Sequence, residues 1–257
     1  MNSIEEENRV YYHSYYGASR DISFEEFLLA KNMFECINPR QQNKTILEVG
    51  YGSGTLLKMF AKSHNCNVHG YEISESARTS ISNLKNVTDH KCLACINIQF
   101  DFIVLSNVIE HINDDKKFLS LLYELLKEGG SLCLTFPTDQ KEDNDPRHFR
   151  VYNLNKFSFD LKTVFPNSYI TYKYLPPTIF LDKLRTIIIS IGKFIFGSVD
   201  VYKSKSKNIV PRSARKFSLI DFLYRKFAVP ILKSFINIDL CLSRHSKTCQ
   251  GYIEIKK

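Results

Sequence analysis

The sequence predicts an α/β fold in which a mostly parallel sheet carries helices on both faces. Three observations predict it. Short apolar or β-branched runs alternate with helical periods between Thr45 and Phe136. A glycine-rich turn, Gly50-Tyr51-Gly52-Ser53-Gly54, joins the first such run to the first helix after it. Phe118, Leu121, Leu122, Leu125 and Leu126 fall at i, i+3, i+4, i+7 and i+8, one face of an amphipathic helix.

Taken in order, residues 1–20 are polar and rich in tyrosine (Tyr11, Tyr12, Tyr15, Tyr16) and read as an arm or lid. Ser23 with Glu26 three residues on is a capping box. It opens a helix that offers Phe24, Phe27, Leu28 and Met33 to one face and ends at Pro39. Thr45–Gly50 reads as a buried strand and Thr55–Ser63 as a helix. Val68–Glu72 is the second strand, with Ser74 capping a second helix. A weak third strand lies near Cys92. Phe100–Leu105 is a strong strand, rich in β-branched and aromatic residues. Asp114 or Asp115 starts the next helix, Gly129–Gly130 stops it, and Ser131–Phe136 is another strand.

Beyond a polar loop the pattern predicts a helix at Asn155–Val164 and a strand at Tyr169–Tyr174. Two basic, apolar helices follow at about 179–197 and 216–243, joined by Lys203–Asn208, the second kinked at Pro230. Gly251–Ile255 alternates like a closing strand. The expected organisation is an arm and helix (1–40), a core (41–175), a helical C-terminal insertion acting as a cap (176–247) and a last strand returning to the core sheet (248–257).

Composition bounds the function. The 257 residues are enough for one large α/β domain. The first nine residues are acidic, unlike a signal peptide, and the greasiest stretch, Thr186–Phe196, is interrupted by Lys193 and too short to span a bilayer. Seven scattered cysteines point to a reducing, cytoplasmic setting with free thiols, and Cys92-x-x-Cys95 reads as two small residues beside a short strand. Charge is lopsided: residues 1–150 carry 16 Lys/Arg against 21 Asp/Glu, and residues 151–257 carry 19 against 6. The basic half therefore faces something the acidic half does not. Its helices can cap the core with solvated charges, lie on a membrane surface through residues 179–247, or bind nucleic acid. The last is disfavoured because no recognisable RNA-binding module is attached.

The chemistry concentrates in residues 46–57, ILEVGYGSGTLL. Gly50, Gly52 and Gly54 permit positive φ and let a ligand approach the backbone, with helix amides facing it. Glu48 precedes the turn. Glu72 ends the second strand, where an acid can accept both hydroxyls of a ribose. A dinucleotide fingerprint needs its third glycine one residue later, where Thr55 stands. An acid before the turn repels a pyrophosphate but suits a cationic ligand bearing an amino acid.

These motifs resemble the class I methyltransferases, in particular the small-molecule group that includes ubiquinone-pathway O-methyltransferases and methyltransferases of glycan and natural-product pathways. The similar segments are LEVGYGSGTLL, GYEIS (70–74), FDFIVLSNVIEHIND (100–114) and LLKEGGSLCLTFPT (125–138). The resemblance implies a Rossmann-like seven-stranded sheet and S-adenosylmethionine as cofactor. Glu48, Gly50, Gly52 and Gly54 would line its methionine end, Glu72 its ribose, and Ile73 its adenine. Ser106, Asn107 and Val108 would floor the site near the methyl group. Lys91-Cys92-Leu93 departs from relatives that place an acid there for the adenine. The ubiquinone-pathway enzymes carry E-x-x-E-H where this chain has Asn107-x-x-Glu110-His111, so the first metal-binding acid is missing and no metal is expected. SNVIEH also differs from the tetrad of the amino-methylating nucleic-acid enzymes.

His111 and His148 are the candidate proton acceptors, since a neutral imidazole suits a hydroxyl acceptor. Arg150 and Tyr152, in the loop after the fifth strand, are the candidate substrate contacts. The expected reaction is methyl transfer to a small molecule, at a hydroxyl oxygen, on a sugar or a lipid-linked intermediate. The competing readings are an RNA methyltransferase, an inactive scaffold on the same fold, and a nicotinamide oxidoreductase.

Overall fold

A computed structural model describes residues 10–12, 24–37, 43–63, 66–138, 147–175 and 250–257. The two C-terminal helices, their linker and the Pro230 kink lie outside these residues, as do Ser23 of the capping box and Pro39. The elements are α1 (Phe24–Ile37), β1 (Thr45–Val49), α2 (Thr55–Lys62), β2 (Asn67–Tyr71), α3 (Glu75–Arg78), β3 (Val87–His90), β4 (Phe100–Ser106), α4 (Asp115–Glu124), β5 (Leu126–Pro137), α5 (Leu154–Val164), β6 (Tyr169–Tyr174) and β7 (Gln250–Lys256). Among the described residues no helix is long and apolar enough to cross a membrane.

The strands form one seven-stranded sheet in the order β3-β2-β1-β4-β5-β7-β6. β1 to β5 pair in parallel, and β7 runs antiparallel between β5 and β6. Alternation assigns the faces. Leu47, Ile103, Leu105, Leu132, Leu134, Ile253 and Ile255 point to one side, where Leu119 and Leu122 of α4 and Phe157 and Leu161 of α5 complete a core. Their neighbours Ile46, Val104, Cys133 and Tyr252 point to the other, against Met33 of α1 and Leu56, Leu57 and Phe60 of α2. Removing one such Leu or Phe from water contributes about 1.5–3 kcal/mol. The reversal of strand order falls between β1 and β4. Open α/β sheets bind ligands at such a switch point, outside the carboxyl ends of the strands.

Two expectations need correction. α4 stops at Glu124, not at Gly129–Gly130, because Leu126 joins β5 opposite Phe100 and the Leu125 carbonyl accepts the Phe100 N–H at 2.9 Å. The buried face of α4 is therefore Leu119 and Leu122, and Leu121 is exposed. The expected cap holds: the Ser74 hydroxyl accepts the Ala77 N–H at the start of the one-turn α3. Cys92 and Cys95 are joined as a disulfide, while Cys36, Cys66 and Cys133 carry free thiols.

Candidate functional site

The turn after β1 is built from left-handed backbone. Gly50, Gly52 and Gly54 have φ of 73°, 49° and 69°. A side chain at Gly50 would drive its Cβ to 2.5 Å from Val108 Cγ2. Val108, expected on the cofactor floor, thus packs against the first glycine and ties the end of β4 to the turn. Asn107 beside it is one of two non-glycine residues with positive φ among the described residues, at 52°. Its N–H donates to the Thr135 carbonyl at 3.0 Å, and the Thr135 hydroxyl donates to Ser106 at 3.4 Å.

Two carboxylates sit under this turn. Glu72 accepts the Gly52 N–H on one oxygen and the Ser74 N–H on the other, both at 2.9 Å. Each oxygen keeps a lone pair for a ligand. Glu48 is buried, and its Oε2 meets no hydrogen-bond partner among the described residues. Burial, then the nearby Glu72 charge, push the Glu48 carboxyl well above its ordinary pKa, opposed by a hydrogen bond from the Leu57 N–H. Burial also raises Glu72, opposed by its backbone donors. A buried acid with one unsatisfied oxygen beside a second acid suits a cationic ligand. S-adenosylmethionine carries a sulfonium and an ammonium, so the donor set fits that cofactor. Ile73 next to Glu72 is 45% exposed and offers an apolar surface at the same rim.

The expected acid after β3 is absent, and the nearest carboxylate is committed elsewhere. Asp89 accepts the Tyr51 hydroxyl at 3.0 Å and pairs with Arg78 at 2.6 Å. The Tyr51 ring lies over Gly70, where any Cβ would come within 2.7 Å of it. This contact locks the glycine turn onto β2, and nothing in the sequence pattern singled it out.

The other side of the crevice is assembled from distant segments. The Tyr12 hydroxyl lies 2.9 Å from His111 Nε2, and the Tyr12 carbonyl accepts the Ser74 hydroxyl at 3.2 Å. Residues 10–12 thereby bridge the end of β2 to the end of β4, across the switch point. Arg147 stacks its guanidinium 3.7 Å from the Tyr11 ring centre. The Arg147 carbonyl is 3.3 Å from His111 Nδ1. His148 packs edge-on against His111, with ring centres 4.7 Å apart. Candidate ligand atoms of Glu110, His111 and His148 lie within 4.8 Å of one another, a cluster compact enough for a cation. Both ring nitrogens of His111 are engaged in this arrangement, one with Tyr12 and one with Arg147.

Arg150 and Tyr152, expected to meet substrate, are turned to another use. The Tyr152 hydroxyl is buried and donates to Asp115 Oδ2 at 2.8 Å. Burial, then the Asp115 charge, push its pKa far up, so it stays a donor. The Arg150 guanidinium pairs with the same carboxylate and donates to the Asn113 carbonyl. The structure brings Glu48, Glu72 and the glycines to one wall and His111 with His148 to the other. It adds Tyr12, whose place in the tyrosine-rich arm was the one available signal.

Comparison with known proteins identifies the family. A family defined as a methyltransferase domain matches residues 24–160, just over half of the chain. The chain belongs to this family, the class I methyltransferases that use S-adenosylmethionine. Phosphoethanolamine N-methyltransferase 2 of Caenorhabditis elegans is 28% identical over 102 residues, which span 36% of this chain and 23% of that protein. The solved phosphoethanolamine N-methyltransferase 2 of Haemonchus contortus, in complex with S-adenosyl-L-methionine, superposes with a TM-score of 0.60 at 16% identity. It covers all of this chain and 60% of its own. Coclaurine N-methyltransferase, bound to N-methylheliamine and S-adenosylhomocysteine, gives 0.52 at 15% identity over 94% of this chain and 76% of that one. These last two likenesses are likenesses of fold. The chain spans less than two thirds of both phosphoethanolamine methyltransferases.

Proposed function

We propose that the chain transfers a methyl group from S-adenosylmethionine to a hydroxyl oxygen of a small polar acceptor, and that Tyr12 and His111 together take the displaced proton. One observation carries the proton-pair part of this reading: the 2.9 Å contact between the Tyr12 hydroxyl and His111 Nε2, just past the end of β4, where Val108 packs on the glycine turn. When bound, S-adenosylmethionine supplies a methyl group already activated by positive sulfur. The protein then has to orient the acceptor, exclude water and remove a proton.

The Arg147 carbonyl can only accept, so the proton of His111 sits on Nδ1 and the lone pair on Nε2. The Tyr12 hydroxyl donates to that lone pair. The Tyr12 oxygen can then accept the acceptor's proton as Tyr12 passes its hydrogen to Nε2. The new bond is carbon to oxygen, the broken one carbon to sulfur, and the proton ends on His111. Glu48 and Glu72 would hold the cationic cofactor.

A second reading, transfer to an amine nitrogen, is favoured by the names of the relatives above. The same pair serves it, because an ammonium must lose a proton before its nitrogen can attack. The test incubates the chain with S-adenosylmethionine carrying a labelled methyl group and a panel of acceptors: hydroxylated small molecules, lipid-linked sugars and phosphoethanolamine. NMR of the product separates O-methyl from N-methyl. Tyr12→Phe is expected to lower kcat by roughly 10²–10⁴-fold, with S-adenosylhomocysteine affinity kept. Full turnover in Tyr12→Phe sinks the proton pair. An N-methyl product replaces the first reading with the second.

A further inference from the structure

The orientation of His111 depends on a carbonyl, and that carbonyl belongs to a segment with no regular structure of its own. Residues 147–152 follow β5 and are laced to residues 109–115, which follow β4. The Phe149 N–H donates to the Glu110 carbonyl at 2.8 Å. The Tyr152 hydroxyl reaches the Ile109 carbonyl at 3.3 Å as well as Asp115 at 2.8 Å. Arg150 joins Asp115 and the Asn113 carbonyl. Two of the lacing side chains therefore converge on one carboxylate. It is buried, and it stands on the first residue of α4, where a helix N-terminus favours negative charge.

A buried carboxylate is costly unless it is paired and hydrogen-bonded. Here the partners are an arginine and a tyrosine from the segment that also carries Arg147 and His148. Removing the charge at Asp115 would weaken both anchors at once, leaving Arg150 the Asn113 carbonyl and Tyr152 the longer contact to the Ile109 carbonyl. The Arg147 carbonyl, three residues from Arg150, would lose its fixed distance to Nδ1. The imidazole would then be free to move its proton to Nε2, where it opposes the Tyr12 hydroxyl instead of accepting from it.

We propose that Asp115 is a positioning residue of the site: by holding Arg150 and Tyr152 it fixes the Arg147 carbonyl against His111 Nδ1 and so selects the tautomer that can accept a proton from Tyr12. The inference rests on the proton-pair reading above, but its test needs neither cofactor nor acceptor. The full chain is labelled with ¹⁵N-histidine, and long-range ¹⁵N–¹H correlations report which nitrogen of His111 is protonated, with His111→Gln supplying the assignment.

The wild type is expected to show the Nδ1–H tautomer. Asp115→Asn is expected to lower the ratio of Nδ1–H to Nε2–H by about tenfold, the scale of one lost charge-assisted hydrogen bond. S-adenosylhomocysteine affinity should not move. Where Asp115→Asn fails to fold, Arg150→Met decides, since it leaves the Tyr152 contact in place; a shift in the same direction is expected. An unchanged ratio in either folded variant overturns the proposal, and so does an Nε2–H tautomer in the wild type. A purely structural role would lower thermal stability and leave the tautomer alone. Failure of Tyr12→Phe to slow methylation would sink the proton-pair reading while leaving the tautomer result standing, so the two failures are separable.

Discussion

The two ends of the sheet treat charge in opposite ways. At the carboxyl end, Glu48 and Glu72 are buried together, Glu48 Oε2 and Asn107 Oδ1 have no partner among the described residues, and four residues near the turn hold positive φ. At the amino end, Asp101 of β4 is saturated: Lys127 at 2.8 Å, the Thr45 N–H at 2.9 Å and Lys44 at 3.1 Å all donate to it. One end carries charge and strain that the chain does not relieve by itself. The other uses charge to fasten β1 to β4. A protein breaks the ordinary rules of polar satisfaction where a ligand completes them.

The comparison is broken most sharply at Glu72. Glu72→Ala removes the acceptor of two backbone donors and, in the proposed complex, of a ribose. It also relieves the like-charge pressure on Glu48. S-adenosylhomocysteine affinity is expected to fall about 100-fold, near 3 kcal/mol, with folding stability within about 1 kcal/mol of wild type. Isothermal titration and urea unfolding on the same preparation check both numbers. Unchanged affinity would remove the carboxyl end from cofactor binding.

Gly54→Ala tests the strain rather than the charge. At φ 69° an alanine is disfavoured, and its Cβ would sit 2.5 Å from Ile81 Cγ2. A stability loss of about 2 kcal/mol is expected, combining the left-handed penalty with displacement of Ile81. Urea unfolding reads it. An alanine tolerated without loss would mean the turn relaxes freely and its glycines are not needed by the fold.

How much of this was legible in the sequence follows from how local each feature is. The glycine turn, Glu48 and Glu72 lie within 25 residues and announce themselves through strand ends and spacing. The mostly parallel sheet was legible too, in the alternation of strands with amphipathic helices. The Tyr12–His111 pair joins residues 99 apart, and only the cluster of tyrosines hinted that the arm had a partner. Arg150 and Tyr152 looked like substrate contacts because their loop lies at the correct end of the sheet. Asp115 claims both, and nothing in its spacing separates a helix-starting acid from a brace. The helical face of α4 was misplaced for a related reason. Periodicity counted Leu125 and Leu126, but β5 pairing outcompeted one more helical turn.

Asp101 gives the smallest effect and the control for the others. Burial pushes its carboxyl up in pKa, but the Lys127, Thr45 and Lys44 donors outweigh this and hold it below the ordinary value. A carboxyl with a depressed folded pKa contributes stability that is present above its unfolded pKa of about 3.9. It is lost as pH falls through the lower folded value. The two lysines are partly exposed, at 28% and 41%, so solvent screening limits the gain. Asp101→Asn is expected to cost about 1 kcal/mol at neutral pH, and the difference from wild type should vanish at the acid end of the range. Urea unfolding at several pH values measures it, with S-adenosylhomocysteine titration alongside. Stability that falls while affinity holds would keep the two ends of the sheet distinct. A matching loss of affinity would show that the β1–β4 clamp transmits to the crevice, and the division between a fastening end and a binding end would fail.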